Sequence, residues 1–578
     1  MASPDTDQIA KPRAILEAMC AELDRSIHGL KVPGSPRPYY IAYTLRRLEG
    51  LDIQAAHGSL LRQRANTKAV IHVDIRVGNR QFDNVVDGGL DSEADERESS
   101  DWLSAPDDLD LGELQVALWK QTQLKFDEAI EDYYDHRKAM VSEYLRDEID
   151  SFSRERSVIH IDELDGTPFP RARWEGELAK LSRRFVDHPD VHDPRIGIRA
   201  ERVTRWLCTN EGTRVITEDL YVEFAVEGWV LTDDGVYVQG DRRVYARAFN
   251  EVPDEAQMEA ALDEVLVELR ALKTARTCTS FVGPALLAGQ AAATVFHEAF
   301  GHRVEGERLV ARGETRTFAH KVGERILPVG LDVYDDPTQT HLADGAPLWG
   351  SYRVDDQGIA AQKASLIEDG VLRGFLCSRS PIPGSQQSNG HGRHDGVESV
   401  MARMGNLIID GSRRGGGKTW DALREDLRDL ARSQGRKQAA VIRRVRAGET
   451  STGSYDFQVF KGELADVHLI DVETGEETRI RDVELIGTPL SALQRIVDHG
   501  GISEPDHGFC FAESGAVPVS GVSPAMLISE VELQQRSTTA YHEPLLPPPF
   551  ADDGSRGRTG KLRARGRRRS PPGRTREA

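Results

Sequence analysis

Two histidines five residues apart constrain this chain more than any other feature. They lie in Val295-Phe296-His297-Glu298-Ala299-Phe300-Gly301-His302-Arg303-Val304-Glu305-Gly306. The apolar, small-residue segment 284–294 leads into them and reads as a buried helix. On an ideal helix, at ~100° per residue, positions i and i+5 point roughly 140° apart. The imidazoles therefore reach one ion only where the helix widens into a π-bulge or ends between them. Gly301 stands where such a departure costs least. Burying Glu298 and Glu305 beside two imidazoles is expensive unless the groups are used. Histidine nitrogens bind zinc well, and a glutamate beside the first ligand can take a proton from water. The motif points to a hydrolytic metal site with His297 and His302 as ligands. The competing reading is two ordinary histidines on a buried helix.

A chain of 578 residues outgrows a single core, so two or more domains are expected. Residues 14–24 and about 111–152 carry helical spacing, and 69–77 alternate as a strand does. Residues 214–249 read as a meander with strands at 222–226, 236–238 and 244–246 and a turn at 239–241. Residues 255–273 form a further amphipathic helix. These elements predict an α+β domain over 14–275, after a flexible start at 1–13, with an acidic loop at 91–110. Beyond the histidines, short strands broken by Gly, Asp and Pro, such as 465–470 and 525–528, predict an extensive β-sheet core over 276–545.

The formal net charge of -20 disfavours non-specific binding of nucleic acid by the body of the protein. The exception is a basic tail over 546–578, arginine-rich from 556 to 576, whose composition predicts disorder. It is the one segment suited to touch nucleic acid or an acidic partner. No run approaches the ~20 apolar residues of a membrane span, and the start lacks the pattern of a secretion signal. Cys20, Cys208, Cys278, Cys377 and Cys510 are scattered and odd in number, which argues against a disulfide framework. The expectation is a cytoplasmic protein. Gly411 to Thr419 misses the phosphate-binding loop pattern by one residue, Ser412 standing where a glycine is needed. Asn389-Gly390-His391-Gly392-Arg393-His394-Asp395 reads as an exposed turn or a flexible, substrate-facing rim.

His297 to His302, followed by Val304-Glu305-Gly306-Glu307-Arg308-Leu309, resembles the signature of the TldD/PmbA metallopeptidases, also called modulators of DNA gyrase. The resemblance continues through 350–358, 366–374 and Met401-Ala402-Arg403-Met404-Gly405-Asn406, and reaches Cys510 and 515–519. It spans about residues 280 to 535, and the amino-terminal half is similar only in general character. It implies a mixed α/β amino-terminal domain and a β-rich carboxy-terminal domain that holds zinc. It also implies a third ligand, Cys510, with His507 the rival three residues away. The family's PmbA (TldE) partners lack the histidine motif, so the resemblance is to the catalytic TldD type. It implies Glu298 as general base, and cleavage of short or unfolded polypeptides by a homodimer or a heterodimer with a TldE-like chain. Glu305 is placed as a supporting or capping group, with His391 and His394 on a substrate loop. Two other classes stand beside this one: a catalytically silent partner subunit, and a regulatory protein whose basic tail meets DNA-associated partners.

Overall fold

A computed structural model describes residues 4–90, 103–142, 149–454, 458–542 and 549. The fold is α+β. Most of the acidic loop and nearly all of the basic tail lie outside the described residues.

The amino-terminal unit is a seven-stranded sheet with strand order 103–104, 59–77, 38–56, 191–209, 214–231 and 159–161, with 237–246 also paired to 214–231. Its longest hairpin, Pro38–Ala56 against Ser59–Val77, turns at His57 and Gly58. Both have positive φ (51° and 85°), as a tight hairpin turn that follows the strand twist requires. Ile41, Tyr43, Leu45, Leu51, Ile53 and Ala55 share one face of the first strand. Against that face pack the helices Pro4–Gly29, Leu111–Ser142, Arg171–Ser182 and Glu255–Thr274. The last begins at a capping box in which Asp254 and Gln257 satisfy each other's backbone N–H. The opposite face carries Arg46, His72 and Arg205 toward the second unit.

Two expectations need correction here. Residues 4–13, expected to be flexible, continue the first helix. Tertiary bonds hold it there: Lys11 donates to Asp108 O and Trp206 Nε1 to Pro12 O. The turn expected at 239–241 is strand, with Gly240 opposite Gly228. The chain reverses instead at Thr232–Val236, where Gly235 supplies the positive φ and Thr232 bonds across the turn.

The carboxy-terminal unit is a twelve-stranded mixed sheet. Helix Trp420–Ser433 covers one face through Leu423, Leu427 and Ala431, against Leu286, Val441, Ile470 and Leu527. Helix Gly289–Ala299 lies in the larger core against Ala285, Leu287, Ala440, Ile442 and Met526. Its small residues are a packing requirement. A Cβ on Gly289 would sit 2.4 Å from Ser523 O, and one on Gly521 would press on Ala293. The helix thus approaches the sheet closely enough to present its end to strand Ile496–Ala512.

Candidate metal centre

The helix Gly289–Ala299 stops between the two histidines. Its last residue is Ala299, Phe300 leaves helical geometry (φ -121°, ψ -53°), and Gly301–Val304 form a 3-10 turn. Of the two ways to bring i and i+5 together, the chain ends the helix. Buried Arg303 stabilises that end: it donates to Glu298 O at 2.7 Å, to Thr450 Oγ1 and to Ser451 O. Gly301 has no positive φ; its role is space, since a Cβ there would lie 2.1 Å from Met404 Sδ.

His297 Nε2 lies 3.1 Å from Cys510 Sγ, and His302 Nε2 lies 3.3 Å from it. The rings meet edge to face, with centroids 4.9 Å apart. All three donor atoms fall within 4.8 Å of one another, the one such grouping of three or more metal-binding side chains among the described residues. A tetrahedral zinc at its usual bond lengths would set N and S about 3.6 Å apart, close to these distances. The other nitrogen of His302, Nδ1, is 3.2 Å from Glu305 Oε2, which leaves Nε2 facing the shared point.

Burial opposes charge on each group, and neighbouring charges act against it to different extents. Cys510 is held well below the ordinary thiol value because His302, His297 and Arg403 outweigh its desolvation. Both histidines rise above the ordinary imidazole value, chiefly through the thiolate working against burial. Glu305, despite complete burial, is held at about 2 by His302, Arg308 and Arg403. Glu298 is shifted upward by burial, with His297 and His302 acting against the shift. A thiolate and two imidazoles with converging lone pairs suit zinc by donor type and number.

Other sequence candidates lie elsewhere. His507 is three residues from Cys510 on the same strand, an odd offset that turns it to the opposite face. There it bonds Ser520 Oγ at 2.9 Å and packs on Tyr245. The 389–395 loop is not an exposed or flexible rim. His391 and His394 are buried, the first bonded to Asn389 and Asp335, the second to Glu398 O and stacked edge-on against His72. Its glycines serve close packing: a Cβ on Gly390 would lie 2.4 Å from Ala360 O and one on Gly392 would lie 2.6 Å from Gln357 Oε1. Three contributors escaped the sequence reading. Arg403, within the quoted 401–406 block, is a charged residue in an apolar stretch, the only hint it gave. Asp506 ties the thiolate strand to helix Gly289–Ala299 through Gln290 and Thr294. Gly448 leaves the room that Glu298 occupies.

Residues 281–535 match the family model described as the PmbA/TldA metallopeptidase C-terminal domain. The carboxy-terminal unit is similar to the PmbA/TldD metallopeptidases. A metalloprotease of Archaeoglobus fulgidus is 33% identical over 234 residues, 40% of this chain and 48% of that protein. A metalloprotease of Methanocaldococcus jannaschii is 29% identical over 342 residues, 59% of this chain and 67% of that one. The first match thus spans about half the length of its relative. The crystal structure of TldE from Thermococcus kodakarensis shares the fold, with a TM-score of 0.57 at 15% identity over 89% of this chain and 99% of that one. PmbA/TldD relatives therefore carry the metalloprotease name, and the three donors described above lie inside the matched domain. Among the described residues no helix is long and apolar enough to cross a membrane.

Proposed function

We propose that this protein is a zinc-dependent peptidase that hydrolyses short or unfolded polypeptides. The observation that carries this reading is the convergence of His297, His302 and the Cys510 thiolate beside the buried carboxyl of Glu298. Zinc held there would supply a Lewis acid that polarises a peptide carbonyl and lowers the pKa of water. Glu305 fixes the His302 ring so that its Nε2 lone pair faces inward. Glu298, whose carboxyl burial shifts upward from the ordinary value, takes the proton from the attacking water and passes it to the departing amine. His302 and Cys510 are each only 6% exposed. A compact folded domain cannot bring its backbone to such covered ligands, whereas an extended chain can, and this favours unfolded substrates. Assembly as a homodimer, or with a TldE-like subunit, belongs to the same proposal, as does a cytoplasmic location.

The test is Glu298→Gln, which keeps the shape and removes the base. It should retain zinc and lose hydrolysis of an unstructured peptide by ~10²-fold or more. Turnover at the wild-type rate would rule Glu298 out as the base. The silent-subunit alternative predicts no hydrolysis by the wild type either, so the same assay separates the two.

A further inference from the structure

His302 and Cys510 arrive from different parts of the chain, one on a turn after a helix and one on a strand 208 residues later. The packing of each element alone does not fix the gap between them. Arg403 bridges that gap, and its side chain is fully buried, as is that of Glu305. Its Nη2 donates to the carbonyl of Cys510 at 2.7 Å. Its Nη1 donates to Ser514 Oγ at 2.8 Å and to Gly515 O at 3.0 Å, across the hairpin that follows the cysteine. Its Nε lies 3.3 Å from Glu305 Oε1. The other oxygen of Glu305 accepts from His302 Nδ1 at 3.2 Å and from Arg308 Nε at 2.9 Å. Arg308 in turn grips Glu513 on the same hairpin with two bonds, at 3.0 and 2.7 Å.

We infer that Arg403, acting with Glu305, is a positioning residue that sets the spacing between the histidine and thiolate ligands. The inference rests on the metal-site reading above. A guanidinium suits the task because its planar fork meets two carbonyls, a hydroxyl and a carboxylate at once, whereas an ammonium is a single point charge. Arg403 is buried, so Arg403→Ala would leave a void and strip Cys510 O, Gly515 O and Ser514 Oγ of a donor, and it would test folding more than positioning. Arg403→Lys keeps the charge and loses the fork. Glu305→Gln keeps an acceptor for His302 and loses the charge that pairs with Arg403.

The experiment uses the full chain and measures zinc affinity by chelator competition. Alongside it are the sulfur-to-metal charge-transfer absorption of the cobalt(II)-substituted protein and the melting midpoint of the metal-free protein. Arg379→Lys is the comparison, since Arg379 is equally buried but bonds Ser153, Glu211 and the Phe152 ring instead. Arg403→Lys and Glu305→Gln should each weaken zinc binding by about 10–100-fold, the usual scale for groups that orient a ligand. Arg403→Lys should also shift the cobalt–thiolate absorption. Arg379→Lys should lower the midpoint and leave affinity and spectrum unchanged. Wild-type affinity and spectrum in Arg403→Lys would overturn the inference, and so would an equal affinity loss in Arg379→Lys. If Arg403→Lys does not fold, wild-type affinity in Glu305→Gln overturns it. A wild-type protein that binds neither metal would overturn the metal-site reading first, and this inference with it.

Discussion

Glu307 is completely buried, and burial, with Glu305 close by, favours its neutral acid; the Ser378 hydroxyl and the Ala402 N–H donate to its oxygens. Burial therefore pushes its carboxyl up to about 7, with the hydrogen bonds acting in the opposite direction. The folded protein keeps a proton that an unfolded chain gives up near the ordinary glutamate value, ~4.3. The folded pKa being the higher one, the stability linked to this group is fully present below ~4.3 and declines as pH rises toward 7. Glu307→Gln replaces the neutral acid with an amide that can still accept from Ala402 and bond Ser378. We predict that its melting midpoint falls less than that of wild type between pH 4.5 and 7.5, measured on metal-free protein at constant ionic strength. Parallel curves would mean that Glu307 titrates normally. Nothing in the sequence singled out Glu307 from Glu305 two residues away. Their opposite shifts come from His302, Arg308 and Arg403, which face Glu305 and not Glu307.

The strand Gln438–Thr450 shows how an element sets chemistry through a missing side chain. A Cβ on Gly448 would lie 2.4 Å from Glu298 Oε1 and 2.5 Å from its Cγ. Because Glu298 can swing aside, Gly448→Ala should fold, retain zinc and displace the proposed base. A displacement of about 1 Å can cost ~10²-fold in rate. We predict a fall of that order in peptide hydrolysis with unchanged metal content, and unchanged hydrolysis would place the base elsewhere. Glycine is also where the sequence reading divided. A break between His297 and His302 was legible from their spacing, but Gly301, read as the cheap place for it, is there for space, and the helix leaves its geometry at Phe300. Gly390 and Gly392 were read as freedom of movement, whereas the fold uses them for lack of room. A sequence reports the absence of a Cβ and not what fills the space. The meander turn was misplaced for a related reason: both Gly235 and Gly240 offer a reversal, and only pairing with strand Arg214–Leu231 decides between them.

At the scale of the molecule, buried charge joins the two units. Glu268, on the last amino-terminal helix and 3% exposed, meets Arg242 of its own unit and Arg444 and Arg479 of the other sheet. Asp241 pairs with Arg444 at 3.1 Å and Arg446 at 3.0 Å, and Asp356 is held by Arg46 at 2.8 Å and by Arg205. None of this network could be read from the sequence, since its partners lie up to 310 residues apart, as Arg46 and Asp356 do. Removing one partner of such a set leaves buried charge uncompensated, at a cost of about 3–5 kcal/mol. Glu268→Gln should therefore lower stability to denaturant by roughly that amount while leaving zinc bound. Loss of zinc in that variant would show that the metal centre depends on how the units are held together. The mixed α+β character and the wealth of strand beyond the histidines could be read from strand spacing. The proposed third ligand was accessible only through family resemblance, because Cys510 lies 208 residues beyond His302 and the two meet only in the folded sheet.

Elemental analysis of purified protein asks whether His297, His302 and Cys510 hold one metal ion. Wild type should carry close to one zinc per chain, and His297→Ala, His302→Ala and Cys510→Ala should each lose it. Cys208→Ala, which alters a buried thiol in the other unit, should keep it. Full zinc occupancy in Cys510→Ala, or a wild-type protein that takes up no metal, would contradict the account.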